Sequence, residues 1–222
     1  CHNFIVGIPQ EYFENLDPEI KKALDHVLDL LQSLGIQTKT LSLPHLNYAA
    51  KAYTILSSAE ASSNLAKLDG IRYGIQEKSS VLTEIYTQSR GKGLGEEVIQ
   101  QILLGTKMLS QSCYQSHYVT AQKTRTLIID DFKQAFKGVD ALLTPTTLMS
   151  APLLKECPLS FTQDIQKALL TLPANLAGLP ALSMPIAKNS LGFPIGMQLI
   201  TNFLQEERLL QLAYTIEQGL KK

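Results

Sequence analysis

Two short strand-like runs separated by one amphipathic helix pattern constrain this fold more than any other feature of the chain. "FIVGIP" carries an apolar run from Phe4 to Ile8 closed by Pro9, the pattern of a buried strand. Asp17 then stands where a helix N-cap belongs, with Pro18 at the first helical position. Ile20, Leu24, Val27, Leu28 and Leu31 recur at three-to-four spacing until Gly35 stops the pattern. The next run, Ile36 to Leu43, is rich in β-branched residues and ends at Pro44. A strand, helix, strand unit of this kind builds a sheet covered by helices, so the expected class is α/β.

The rest of the chain extends that reading. Leu46 to about Lys67 is helical in pattern and breaks at "LDGIRYG", where Asp69, Gly70 and Gly74 favour turns. Ser89 to Gly95, "SRGKGLG", is the most flexible stretch by composition. Beyond it, Ile99, Ile102, Leu103, Leu109, Tyr114, Val119, Leu127, Ile128, Phe132 and Phe136 are the expected inward positions of two long helices or one interrupted helix. "VDALLTPTT" reads as a buried strand ended by Pro145, and a further helix is expected from about Phe161. In "TLPANLAGLPALSMPIA", Pro173, Gly178, Pro180 and Pro185 exclude a regular central strand. That segment is either a connecting loop or backbone held in irregular shape beside a ligand. "FPIGMQLIT" reads as a strand and "QEERLLQLAYTIEQGL" as a closing amphipathic helix. No initiator Met precedes the opening strand, so the chain reads as cut from a longer one. No stretch reaches the roughly 18 uninterrupted apolar residues that span a bilayer, so no membrane partner is expected.

Charge and chemistry narrow the function by exclusion. Twenty Lys and Arg balance 20 Asp and Glu, which leaves no basic field to draw the chain onto nucleic acid by itself. Cys1, Cys113 and Cys157 are odd in number and widely spaced, as suits reduced thiols in a cytoplasmic protein. His2, His26, His45 and His117 lack ligand spacing, so no metal site is expected. "GKGLGEE" lacks the Gly-Lys-Ser/Thr element of a phosphate loop, and no Gly-x-Ser-x-Gly elbow occurs. Ser57, Ser58, Ser62 and Ser63 have only Glu60 as an ionisable neighbour, so they read as packing, back-bonding or capping groups. Arg125 stands out. In "AQKTRTLIIDDF" it lies close to the apolar face, where a guanidinium either joins a structural pair, covers apolar surface with its stem, or holds a carboxylate bidentately.

"EASSNLAKLDGIRYG", "KTRTLIIDDF", "DALLTPTT" and "LPANLAGLPALSMP" with "FPIGMQLI" resemble, in that order, the C-terminal half of amidase signature enzymes. Within that superfamily they are similar to the A subunits of tRNA-dependent amidotransferases, from about Ile5 to the C-terminal helix. The resemblance implies a single α/β domain over 1–222, a mixed β-sheet flanked by helices, forming the C-terminal portion of the amidase signature fold. It also implies that "FIVGIPQEYF" follows a glycine- and serine-rich region bearing the family's lysine, cis-serine and nucleophilic serine. No such stretch occurs among the 222 residues, so no catalytic residue is assigned and the chain alone is expected to be inactive. The intact A subunit of such a family hydrolyses glutamine through an acyl-serine and passes ammonia to the B subunit, where ATP and Mg activate the charged tRNA; the C subunit ties the pair together. No cofactor is implied for the A subunit itself. Arg125 is implied as the holder of the glutamine α-carboxylate, and Tyr73 as a lesser candidate to line the same pocket. The family's usual Asp, five residues before the proline matching Pro173, is Ala168 here, with Asp164 one turn upstream as a candidate substitute. A general amidase and a non-catalytic binding remnant are the alternatives.

Overall fold

The computed structural model describes residues 4–153 and 169–221. It divides into two compact units: residues up to Ala50 together with those from Thr124 onward, and the intervening Lys51–Lys123.

The first unit holds a five-stranded mixed sheet in the order β2-β1-β3-β5-β4. β1 (Ile5–Pro9) runs parallel to β2 (Gln37–Leu41) on one side and to β3 (Ala141–Pro145) on the other. β5 (Pro194–Thr201) pairs antiparallel with both β3 and β4 (Ala181–Lys188). β3 is buried at all five positions, as an apolar run in a central strand requires.

α1 (Pro18–Ser33) begins as its sequence dictates, with Asp17 Oδ1 accepting from the Glu19 backbone N–H at 2.8 Å. It ends where Gly35 takes φ +74°, and the Gly35 and Ile36 N–H groups bond to the carbonyls of Gln32 and Leu31 in a Schellman exit. Ile20, Leu24, Val27 and Leu31 are buried. With Val6, Leu143, Met197 and Leu199 of the sheet and Leu212 and Ile216 of the closing helix α7 (Glu206–Leu220), they form the main core. Strand residues alternate in direction, so Leu142, Thr144 and Gln198 point to the other face.

The punctuated proline segment is not a loop throughout. Residues 172–177 form a short helix, and β4 follows at an edge of the described sheet, with its register shifting between Pro185 and Ala187. An edge strand leaves every second N–H unpaired, which is why proline survives there.

The second unit takes in nearly all of α2 (Ala49–Asn64), then α3 (Leu82–Gly93), α4 (Glu96–Met108) and a π-helical turn at Tyr114–Tyr118, and α5 (Val119–Ala135) starts in it. Two expectations need correcting. "SRGKG" is helical rather than loose, because polar tethers hold it: Arg90 Nη1 donates to the carbonyls of Leu65 (3.1 Å) and Leu68 (2.9 Å), Lys92 pairs with Glu77 at 2.8 Å, and the buried Ser89 Oγ accepts from the Glu77 N–H. Leu103, Leu109, Tyr114 and Leu127 are exposed rather than inward. α4 instead packs on α2 through Gly105, where an added Cβ would fall 1.9 Å from the Ser58 carbonyl oxygen, so Leu103, about 200° around the helix, faces away. Ser58 is buried in that contact, Ser62 Oγ meets Thr106 Oγ1 at 2.9 Å, and Ser63 Oγ bonds back to the Ala59 carbonyl.

Residues 69–74 form a turn ordered by one carboxylate. Asp69 Oδ1 accepts from the N–H groups of Ile71 and Arg72, both at 2.9 Å, and Oδ2 pairs with Arg72 Nε at 2.8 Å. Those backbone donors, and then the guanidinium, hold the Asp69 carboxyl well below the usual carboxylate range. Because the folded pKa is depressed, the stabilisation is complete well above the unfolded value of about 3.9 and is lost as pH falls through the folded value. Asp69→Asn is therefore expected to melt below wild type at neutral pH, with the gap narrowing on acidification toward about pH 3. A gap that stays constant in thermal melts across that range would remove Asp69 from the account.

Candidate functional site

Arg125 lies on α5 and belongs to the first unit. It is exposed to solvent, yet its Nε donates to the Leu176 carbonyl at 2.7 Å. Leu176 sits near the end of α6, the short helix Leu172–Ala177, where the last carbonyls lack partners within the helix. Leu179 N–H bonds to the Ala174 carbonyl and Gly178 N–H to that of Asn175, with Gly178 in the left-handed region at φ +70°. Arg125 supplies a donor to a third carbonyl, and its positive charge suits the negative end of the helix. Pairing of the guanidinium is expected from the sequence; a backbone carbonyl as its partner is not.

At the other end of α6 lies a polar pair that the sequence reading passes over. Thr144 and Gln198 are directly opposite in the β3–β5 register, and both are buried. Gln198 Nε2 donates to Thr144 Oγ1 at 3.0 Å and to the Leu170 carbonyl at 3.2 Å. The available signal is a single amide inside the apolar run "MQLI", since a polar group in a core strand must be hydrogen-bonded.

A cleft of about 630 Å³ opens beside these strands, lined among others by Leu148, Met149, Met184 and Pro185, with Thr146 Oγ1 and Ser183 Oγ 2.9 Å apart within it. Its described walls carry no charged side chain, and Arg125 is not among them. Elsewhere in this unit the His45 ring Nδ1 lies 3.0 Å from Asp131 Oδ1, with the His45 N–H also donating to Asp131 at 2.9 Å, a pair 86 positions apart that no local pattern announces.

Tyr73 belongs to the second unit, is 60% exposed, and gives its carbonyl to the Gly70 N–H in the turn that Asp69 orders. Ala168 and Asp164 lie outside the described residues, as does the helix expected from Phe161. Among the described residues, no helix is long and apolar enough to cross a membrane.

A model of the family described as Amidase matches residues 1–210. The chain belongs to the amidase family. It is 46% identical over 220 residues to the A subunit of Glutamyl-tRNA(Gln) amidotransferase from Picosynechococcus sp., covering 96% of this chain and 44% of that relative. It is 44% identical to the protein of the same name from Clostridium novyi, again over 96% of this chain and 44% of the relative. The crystal structure of the A subunit of Glutamyl-tRNA(Gln) amidotransferase from Thermotoga maritima superposes with a TM-score of 0.65 at 30% identity, covering 90% of this chain and 38% of that one. This member of the amidase family thus spans less than half the length of the curated relatives it matches. Its mixed sheet with flanking helices is the α/β architecture of the amidase fold.

Proposed function

We propose that this chain is the C-terminal segment of the glutaminase subunit of a tRNA-dependent amidotransferase, and that Arg125 holds the α-carboxylate of glutamine. The intact protein would hydrolyse glutamine and supply ammonia for converting Glu-tRNA(Gln), or Asp-tRNA(Asn), to the amidated form. The nucleophile, cis-serine and lysine belong to sequence outside these 222 residues, so the chain alone is expected to leave glutamine intact. Its partners would be the B and C subunits in the cytoplasm, with ATP and Mg used by the former and tRNA met through the complex.

The observation that carries the reading is the anchoring of Arg125 Nε on the Leu176 carbonyl at 2.7 Å. That bond fixes the plane of the guanidinium, so a carboxylate gripped by both arms would be met end-on by the two Nη groups. Amidotransferase relatives at 46% and 44% identity support the choice of family branch.

In the full-length protein, Arg125→Ala is expected to raise the KM for glutamine by roughly a hundredfold while changing that for an amide lacking a carboxylate far less. Equal effects on the two substrates would end the carboxylate role. A general amidase is the second reading, favoured by Ala168 standing where an Asp would pair with the substrate ammonium. Under that reading the carboxylate-free amide is the better substrate, and neither of the other two amidotransferase subunits copurifies.

A further inference from the structure

We infer that Gln198 is a positioning residue for the glutamine pocket: it sets the entry to α6, and α6 in turn holds Arg125. This rests on the proposed role of Arg125.

The geometry links them in three steps. Gln198 lies on β5 between β3 and β4, opposite Thr144 on one side and Ser183 on the other. It is 4% exposed, and its amide nitrogen reaches both Thr144 Oγ1 and the Leu170 carbonyl. The Leu170 carbonyl belongs to the turn that leads through Thr171 into α6. Leu172, Pro173, Ala174 and Leu176 of α6 are buried, so the helix is a short, packed body whose placement follows its entry. Its far end gives the Leu176 carbonyl to Arg125.

Packing alone does not require an amide at position 198. Met197, Leu199 and Ile200 around it are apolar and fully buried, and a leucine would serve the core without the need to satisfy buried polar atoms. What only the amide supplies is a directed donor that reaches one hydroxyl and one backbone carbonyl together. The hydroxyl fixes the amide's direction, and the carbonyl fixes the loop.

The test uses the full-length protein that contains this sequence, with three variants assayed on glutamine and on an amide lacking a carboxylate. Gln198→Leu removes the donor, and Gln198→Glu keeps the shape but offers a single O–H, for the Leu170 carbonyl, only when its carboxyl is protonated, with Thr144 Oγ1 then turning to donate to the carboxyl. Arg125→Ala tests the underlying reading.

Gln198→Leu is expected to raise the KM for glutamine roughly tenfold, with a much smaller change for the carboxylate-free amide and little change in kcat for either, because the loss acts through Arg125. Gln198→Glu is expected to approach wild type as pH falls toward about 6, whereas Gln198→Leu stays impaired at every pH. If Gln198→Leu affects both substrates alike, or if Gln198→Glu is as impaired as Gln198→Leu throughout, the positioning role is overturned. A normal substrate split in Arg125→Ala then shows that the carboxylate anchor survives and only Gln198 was misassigned. Loss of the split in Arg125→Ala removes the anchor itself, and the inference with it. If Gln198→Leu does not fold, the comparison of Gln198→Glu with wild type across pH decides: recovery on acidification supports the role, and a parallel profile overturns it.

Discussion

Gly105→Ala is expected to cost about 3 kcal/mol or more, at the upper end of what overpacking a folded interior does. The added methyl would sit 1.9 Å from the Ser58 carbonyl oxygen and 2.5 Å from its carbon, both backbone atoms of α2. A flexible side chain could turn aside; backbone cannot, so α4 and α2 must separate along the contact that Ser62 and Thr106 also make. At roughly 2 to 4 °C per kcal/mol for a chain of this size, the melting temperature should fall by about 6 °C or more. Gly91→Ala is the control. It also lies in a helix, nothing stands within 4 Å of its added carbon, and the better helix former should raise stability by about 0.4 to 1 kcal/mol. Calorimetric scans in which the two substitutions behaved alike would show that the close approach of α2 and α4 is not a constraint.

Phe132→Ala should cost about 3 to 5 kcal/mol, the range for truncating a fully buried aromatic ring. Phe132 is 1% exposed on α5, one turn beyond Ile128 and stacked near Phe136 with ring centroids 6.4 Å apart. The ring also holds the helix that carries Arg125, so in the full-length protein the loss should extend beyond stability. Hydrogen exchange along α5 is expected to quicken and, under the proposed role of Arg125, the KM for glutamine to rise as the guanidinium loses its fixed base. A fall in stability below about 1 kcal/mol in denaturant titrations would mean that the site collapses around the gap and that α5 is held by other contacts.

Legibility in the sequence follows the range of the interactions. α1 is readable end to end, because Asp17, Pro18 and Gly35 act within a turn of where they stand. β1, β3 and β5 announce themselves as apolar runs bounded by proline or turn residues, since burial on both faces needs no distant partner to be recognised. The inward face of α4 is where pattern reading fails. A helix that packs through a glycine buries its small residues, so a count of large apolar side chains points to the wrong side. The "SRGKG" stretch misleads for a similar reason: composition registers glycine's freedom but not the bonds from Arg90 and Lys92 that remove it. At the candidate site, Arg125 is visible because a charge beside an apolar stripe is conspicuous. Its partner is not, since Leu176 offers a backbone carbonyl 51 positions away and any residue could stand there. Gln198 is noticeable as the one amide in an apolar strand, but its bond to Leu170 depends on the path of the chain between them.

The pairing of β1 bears on the order in which the protein can be assembled. β1 reaches β2 across a single helix, so those two strands and α1 can meet soon after synthesis. Its other side waits for β3: the Ile5 N–H bonds to Asp140 Oδ2 across 135 positions, and Val6 pairs with Ala141. Everything from Lys51 to Lys123 is made in between, and that unit closes on itself through nearer contacts. Each doubling of a closed loop adds only about 0.6 kcal/mol, so the long connection costs the finished protein little. Its cost is one of time, because distant strands meet late. During synthesis, one edge of β1 remains an open row of donors and acceptors until β3 is made, about 135 positions later, and that interval is when this sheet is most exposed to the wrong partner.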